Sequence, residues 1–207
     1  MNDPNSIVYI VDDDASVRDA VSNLLESVGL RAITFGSTEE FLATSRTQAP
    51  SCLVLDVMLP GMRGLEFQEM LKKSGISIPI IFITAHGDIP MTSKAMKAGA
   101  IEFLAKPFPK EDLLAAIHRG LQLDSTLREK QSELSALQSR FEQLSPRERE
   151  VMDLVVTGII NKQIAGELGI SEVTVKIHRR QVMEKMQAES LADLVRMSDK
   201  LKIQMQK

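Results

Sequence analysis

Through its first hundred residues the chain alternates short β-branched runs with longer segments of helical spacing, a pattern that leaves little choice of architecture. The runs at 7–11, 30–35, 52–56, 80–84 and 102–105 read as strands. Between the first two, Val17, Val21, Leu24, Leu25 and Val28 recur at helical steps until Gly29 stops them. Ser37 is placed to cap a helix holding Phe41 and Leu42, with Glu40 three residues on. Segments 64–73, 89–98 and 110 onward supply three more helices. The expectation is an α/β fold, a doubly wound (βα)5 unit with a parallel five-stranded sheet.

A chain of 207 residues has room for a second unit. Apolar positions continue from Leu113 through Ile117, Leu121, Leu127, Leu134, Leu137, Phe141 and Leu144, and from Leu127 the steps match a short coiled-coil seam. We read 123–144 as a long linker helix, self-associating or packed on a neighbour; the alternative is a partly frayed Gln/Ser-rich linker. Ser145-Pro146 starts a new helix, the first of four at 146–157, 161–168, 171–186 and 190–197 onward. With no strand pattern there, 145–207 is expected to form an all-α domain, leaving 1–122 as the α/β domain. The two ends also differ in charge. Residues 1–109 carry net −4 and residues 145–207 net +2, while the total of −3 excludes a wholly basic nucleic-acid coat. Cys52 is the only cysteine and sits in the apolar run CLVLD, so it is expected to be a buried hydrophobe, and no intrachain disulfide can form. The N-terminus lacks the basic region of a signal peptide and no apolar run reaches membrane-spanning length, so a soluble, cytoplasmic protein is expected.

Ligands of doubly wound sheets sit outside the carboxyl ends of the strands. Asp12, Asp13 and Asp14 follow the first strand, Asp56 ends the third, Thr84 the fourth, and Lys106 follows the fifth. Such a carboxylate cluster calls for a cation, and oxygen ligands without His or Cys indicate Mg²⁺ rather than zinc. A lysine and a hydroxyl beside it suit phosphoryl chemistry, with Asp56 as nucleophile and Lys106 and Thr84 holding phosphate oxygens. Asp14 reads better as the cap of the first helix.

IVYIVDDD, CLVLDVMLPGMRGLE, IFITAH and FLAKPF together resemble the receiver domain of two-component response regulators, over residues 1 to about 122. The resemblance implies that Asp56 accepts a phosphoryl group from a sensor histidine kinase. It implies that Asp13, Asp56 and the Met58 carbonyl bind Mg²⁺ directly, with Asp12 assisting through water. It further implies a cis Lys106–Pro107 bond, a switch formed by Thr84 and Phe103, and a homodimer through the fourth helix, fifth strand and fifth helix when phosphorylated. Met58 and His86, two residues beyond Asp56 and Thr84, are placed to gate the hydrolytic water.

The segment LSPREREVMDLVVTGIINKQIAGELGISEVTVKIHRRQVMEKM resembles the LuxR/FixJ-type helix-turn-helix domain. Gly169-Ile170-Ser171 supplies the tight turn that lets the following helix enter a major groove. On that helix Val175, His178, Val182 and Met186 form the core stripe, with His178 expected to be partly buried and hydrogen-bonded. Lys176, Ile177, Arg180 and Gln181 then face base edges, while Lys162, Thr174 and Arg179 suit phosphates. Ile160, where the family often has a small polar residue, and Arg180-Gln181 depart from the pattern. The whole resembles the FixJ group of response regulators, and within it the aromatic-degradation regulators. That implies a phosphorylation-activated transcription regulator binding double-stranded DNA at an inverted repeat, with RNA polymerase as a further candidate partner. No enzymatic activity beyond self-phosphorylation and self-dephosphorylation at Asp56 is expected.

Two other classes compete. In a Mg²⁺-dependent phosphohydrolase Asp12 and Asp14 would form an Asp-x-Asp nucleophile pair, but no cap domain is present and a DNA-binding tail would have no purpose. In an unphosphorylated regulator the first domain would serve dimerisation alone.

Overall fold

The structure is a computed structural model describing residues 5–45, 47–85 and 87–205, with side chains to residue 202. His86 lies outside the described residues. Two compact units divide the chain, Met1–Arg128 and Glu129–Lys207. Strands β1 (Ile7–Val11), β2 (Arg31–Phe35), β3 (Ser51–Asp56), β4 (Ile80–Thr84) and β5 (Glu102–Ala105) belong to the first. Helices α1 (Ala15–Ser27), α2 (Thr38–Ala43), α3 (Gly64–Lys73) and α4 (Ile89–Lys97) alternate with them, and α5 (Lys110–Glu142) follows. All pairings are parallel, in the order β2-β1-β3-β4-β5. The strand order therefore reverses between β1 and β3, where the fold class places its ligand crevice.

Strand periodicity sorts the core into two layers. Ile7, Tyr9, Val11, Leu53, Leu55, Ile80 and Phe82 face one side, with Phe41, Phe67 and Leu71 from α2 and α3. Val8, Ile10, Cys52, Val54, Ile81 and Ile83 face the other, against Val21 and Leu25 of α1 and Leu113, Ala116, Ile117 and Leu121 of α5. Cys52 is fully buried as expected, and that burial, helped by the charge of Asp124, pushes its thiol pKa up. One polar clamp joins α5 to the sheet. Buried Asp124 accepts hydrogen bonds from Ser51 N at 2.8 Å and Arg128 Nε at 2.5 Å, and Arg128 Nη1 reaches the Gln48 carbonyl at 3.3 Å.

Helix α5 is continuous over 33 residues, so the linker segment is not frayed. Its spacing is explained by packing within the second unit, where Leu137 and Leu144 are buried with Phe141 packed alongside, whereas Leu127 is exposed. Helices α6 (Pro146–Val155), α7 (Asn161–Leu168), α8 (Glu172–Met186) and α9 (Leu191–Met205) complete that unit. Ser145 and Glu148 form a reciprocal capping box at the start of α6. The α7–α8 turn depends on Gly169, which closes α7 in the left-handed region at φ 66°, where a Cβ is disfavoured. Among the described residues no helix is long and apolar enough to cross a membrane.

Candidate functional site

The loop after β1 and the end of β3 bring Asp12, Asp13 and Asp56 together, with one carboxylate oxygen of each within 4.8 Å of the others. Adjacent ligands of an octahedral Mg²⁺-sized cation stand about 3 Å apart and opposite ones about 4.2 Å, so the three oxygens are gathered near one such ion and would close on it as it binds. Asp12 and Asp56 are buried and Asp13 is exposed. Lys106 bridges the buried pair, its Nζ lying 2.6 Å from Asp12 Oδ2 and 3.2 Å from Asp56 Oδ2. The second oxygen of each is also engaged, Asp12 Oδ1 by Asp14 N at 2.9 Å and Asp56 Oδ1 by Met58 N at 3.1 Å.

Burial pushes the Asp12 carboxyl above its ordinary range despite the hydrogen bonds from Lys106 and Asp14. Burial also works against the Lys106 charge, but the bond to Asp12 and the charge of Asp56 outweigh it and hold the ammonium above its usual value. Lys106 is thus a fixed cation beside Asp56, and its bond to Pro107 is cis.

Thr84 ends β4 fully buried. Phe103, on the neighbouring strand, is half-buried and tilted against Phe82 at 6.1 Å. A Cβ on Gly87 would come within 2.8 Å of Phe103 Cε1 and 3.2 Å of Thr84 Cγ2, so Gly87 packs tightly against both. Asp14 caps α1 by accepting from Ser16 N at 2.8 Å, as its sequence position indicates.

Three contributors escaped the sequence reading. Arg18 donates to the carbonyls of Asp12 at 2.7 Å and Asp13 at 3.0 Å and so holds the acidic loop in shape. Its signal was an arginine one turn into α1 beside three acids. Gly64 packs against the end of β3, where a Cβ would collide with the Asp56 carbonyl. Gly87 is the third, and neither glycine is distinguishable in sequence from an ordinary turn residue.

In the second unit, Val175, Val182 and Met186 of α8 are buried and His178 is half-buried. The half-burial of His178 is as expected, and its buried Nδ1 has no hydrogen-bond partner among the described residues. Lys176, Ile177 and Arg180 are exposed and Gln181 is half-buried. Arg180 Nε donates to Glu184 Oε1 at 2.7 Å. Of the residues assigned to phosphates, Lys162 is exposed, Thr174 bonds the Ser171 hydroxyl at 2.8 Å, and Arg179 Nη1 donates to Asn161 Oδ1 at 2.6 Å.

Comparison with known proteins agrees with both halves. Residues 8–118 match the response regulator receiver domain and residues 142–198 match the bacterial regulatory proteins of the luxR family. Nodulation protein W of Bradyrhizobium diazoefficiens is 54% identical over 198 residues, 96% of this chain and 87% of that protein. The structure of response regulator StyR matches with TM-score 0.87 and 51% identity, covering 94% of this chain and 98% of StyR. Full-length FixJ from B. japonicum matches with TM-score 0.56 and 36% identity, covering 96% and 98%. Both family matches are to regulatory domains, and they lend no support to the phosphohydrolase reading. The chain belongs to the response regulator family, as a transcriptional regulator with a receiver domain and a LuxR-type DNA-binding domain.

Proposed function

We propose that a sensor histidine kinase phosphorylates Asp56 in a Mg²⁺-dependent step and that the phosphorylated chain dimerises and binds an inverted-repeat DNA site. In this reading residues 1–122 receive the phosphoryl group, 123–144 connect, and 145–207 read DNA. The observation that carries it is the joining of Asp12, Asp13 and Asp56 within 4.8 Å, with Lys106 on the two buried carboxylates. Asp13, Asp56 and the Met58 carbonyl would hold Mg²⁺, with Asp12 acting through water, and the bound ion would offset phosphoryl charge. An Asp56 oxygen forms the new P–O bond as the donor's P–N bond breaks, and the electron pair stays with the donor imidazole. Lys106 and Thr84 hold the phosphoryl oxygens. As Thr84 moves toward the new anion, Phe103 fills the space it leaves, reshaping the α4–β5–α5 face for a second copy.

Labelled acetyl phosphate with Mg²⁺ should deposit one phosphoryl group per chain. Sustained turnover of phosphate esters would instead identify an enzyme and sink the proposal.

On DNA, Lys176, Ile177, Arg180 and Gln181 reach base edges, and Lys162, Thr174 and Arg179 position the module on phosphates. Exposure of Lys176, Ile177 and Arg180 on one face of α8 supports the first group. The missing side-chain cap on α7 leaves its first N–H groups to phosphate beside Lys162 and supports the second. Arg180→Ala should relax sequence preference, costing about 1–3 kcal/mol on the preferred site. Lys162→Ala should weaken all sequences alike and lower the salt slope by about one ion. Identical sequence profiles for the two variants would contradict this sorting. RNA polymerase at the target promoter is the further partner, and both it and the DNA place the protein in the cytoplasm.

A further inference from the structure

Val173, Lys176, Ile177 and Arg180 of α8 are exposed and, spaced three, one and three apart, share one side of the helix, with exposed Glu184 one turn beyond Arg180. Two of the four are cationic and two are apolar, and the apolar pair is the anomaly. Val173 is 66% exposed and Ile177 is 53% exposed, although the buried stripe of Val175, Val182 and Met186 already serves the core. Neither exposed side chain is part of the unit's hydrophobic cluster. Helix stability does not explain Val173 either. A β-branched residue in a solvent-facing helical position loses side-chain freedom, and almost any straight-chain residue would serve the helix better. Ser171 caps the helix by accepting from Thr174 N, so Val173 stands in the first turn, the part of a recognition helix that contacts base edges.

Resting on the proposed DNA-reading role of α8, we infer that Val173 is a further specificity-determining residue that takes the C5-methyl group of a thymine. The methyl is the one apolar feature a base pair presents in the major groove, and an exposed isopropyl group has no hydrogen bond with which to read anything else. Val173 and Ile177 lie four residues apart, about 6 Å along the helix. In a duplex rising about 3.4 Å per base pair, their two targets fall within about two steps of each other. Lys176 and Arg180 reach base edges beside them, and the two methyl contacts set which thymines are accepted.

The test uses the full-length chain and the duplex recovered by sequence selection. Each thymine is replaced singly by deoxyuridine, which removes only the methyl, and affinities are measured for the native chain, Val173→Ala and Ile177→Ala. At one thymine the native chain should lose about fourfold, the partitioning of one methyl group. Val173→Ala should be indifferent to that methyl, whereas Ile177→Ala should remain sensitive to it. If Val173→Ala loses affinity at every thymine by the native factor, or no thymine matters, the inference is overturned. Lys176→Ala and Arg180→Ala separate the two failures. If those variants alter sequence preference while the methyl scan is blind to residue 173, α8 still reads DNA and only Val173 fails. If they too keep the native preference, the reading of α8 fails with it.

Discussion

Asp56→Asn should abolish the response of DNA binding to a phosphodonor. With acetyl phosphate and Mg²⁺ the native chain should bind its selected operator about a hundredfold more tightly, because joining two DNA-binding modules in a dimer makes the second contact intramolecular. The variant keeps the size and shape of the side chain but loses the nucleophilic oxygen and one of the clustered negative charges. Lys106 keeps its partner, since Asp12 Oδ2 lies at 2.6 Å, so the variant should fold with the pocket intact. Chelating Mg²⁺ from the native chain should mimic the variant, because Lys106 alone cannot offset three carboxylates and an incoming phosphoryl group. Operator selection with and without each additive measures both effects. Binding equally tight in every condition would leave the helix-turn-helix intact and reduce the acidic pocket to a structural feature.

Glu148→Ala should destabilise the second unit by about 2 kcal/mol, although it removes no apolar core side chain. Glu148 is 3% exposed yet carries a charge. It accepts from Ser145 N at 2.8 Å and holds Lys185 Nζ at 2.9 and 2.6 Å. The variant loses a cap worth about 1 kcal/mol. Unpairing the Ser145 N–H and the partly exposed Lys185 adds a comparable amount. Burial alone would raise the Glu148 pKa, but the bonds from Lys185 and Ser145 outweigh it and hold the carboxyl below its ordinary value of 4.5. A depressed carboxylate pKa stabilises the fold above that ordinary value and ceases to do so as acidification passes it toward the folded value. Glu148→Gln should therefore flatten the loss of stability below about pH 4.5. Urea unfolding followed across that range measures both effects. An unchanged acid limb would show that Lys185 and Ser145 do not set the ionisation of Glu148.

Most of the first unit's framework was legible in the residues. Strands β1, β4 and β5 occupy the expected positions, and β2 and β3 begin one residue away from them. Strand runs and helix caps are local signals, readable where Ser37 accepts from Glu40 N or Ser145 and Glu148 cap each other. The site was legible for a related reason, since strand ends in a parallel sheet lie at one edge and place Asp12, Asp56, Thr84 and Lys106 in order along it. Less visible were the residues whose role is a distance between elements far apart in sequence. Gly87 matters because Phe103 and Thr84 lie beneath it, and Gly64 because it touches the Asp56 carbonyl. Asp124 reaches across 73 positions to the Ser51 amide, a pairing with no periodicity to announce it.

The apolar seam of α5 and the cations of α8 show where this division falls. The spacing from Leu127 to Leu144 pointed to a helix with an apolar face, against the alternative of a frayed linker, and left open whether a second copy or a neighbour would cover it. Only the fold turned Leu137 and Leu144 into the core of the second unit and left Leu127 exposed. Likewise, composition placed Arg179 and Arg180 side by side on one helix, and packing gave the first to Asn161 and the second to Glu184. Element identity, caps and the order of the acidic site follow from local chain geometry and were determined by the sequence alone. Partner choice was decided by tertiary structure, because a side chain's neighbour depends on which surfaces the whole chain brings within a few ångströms.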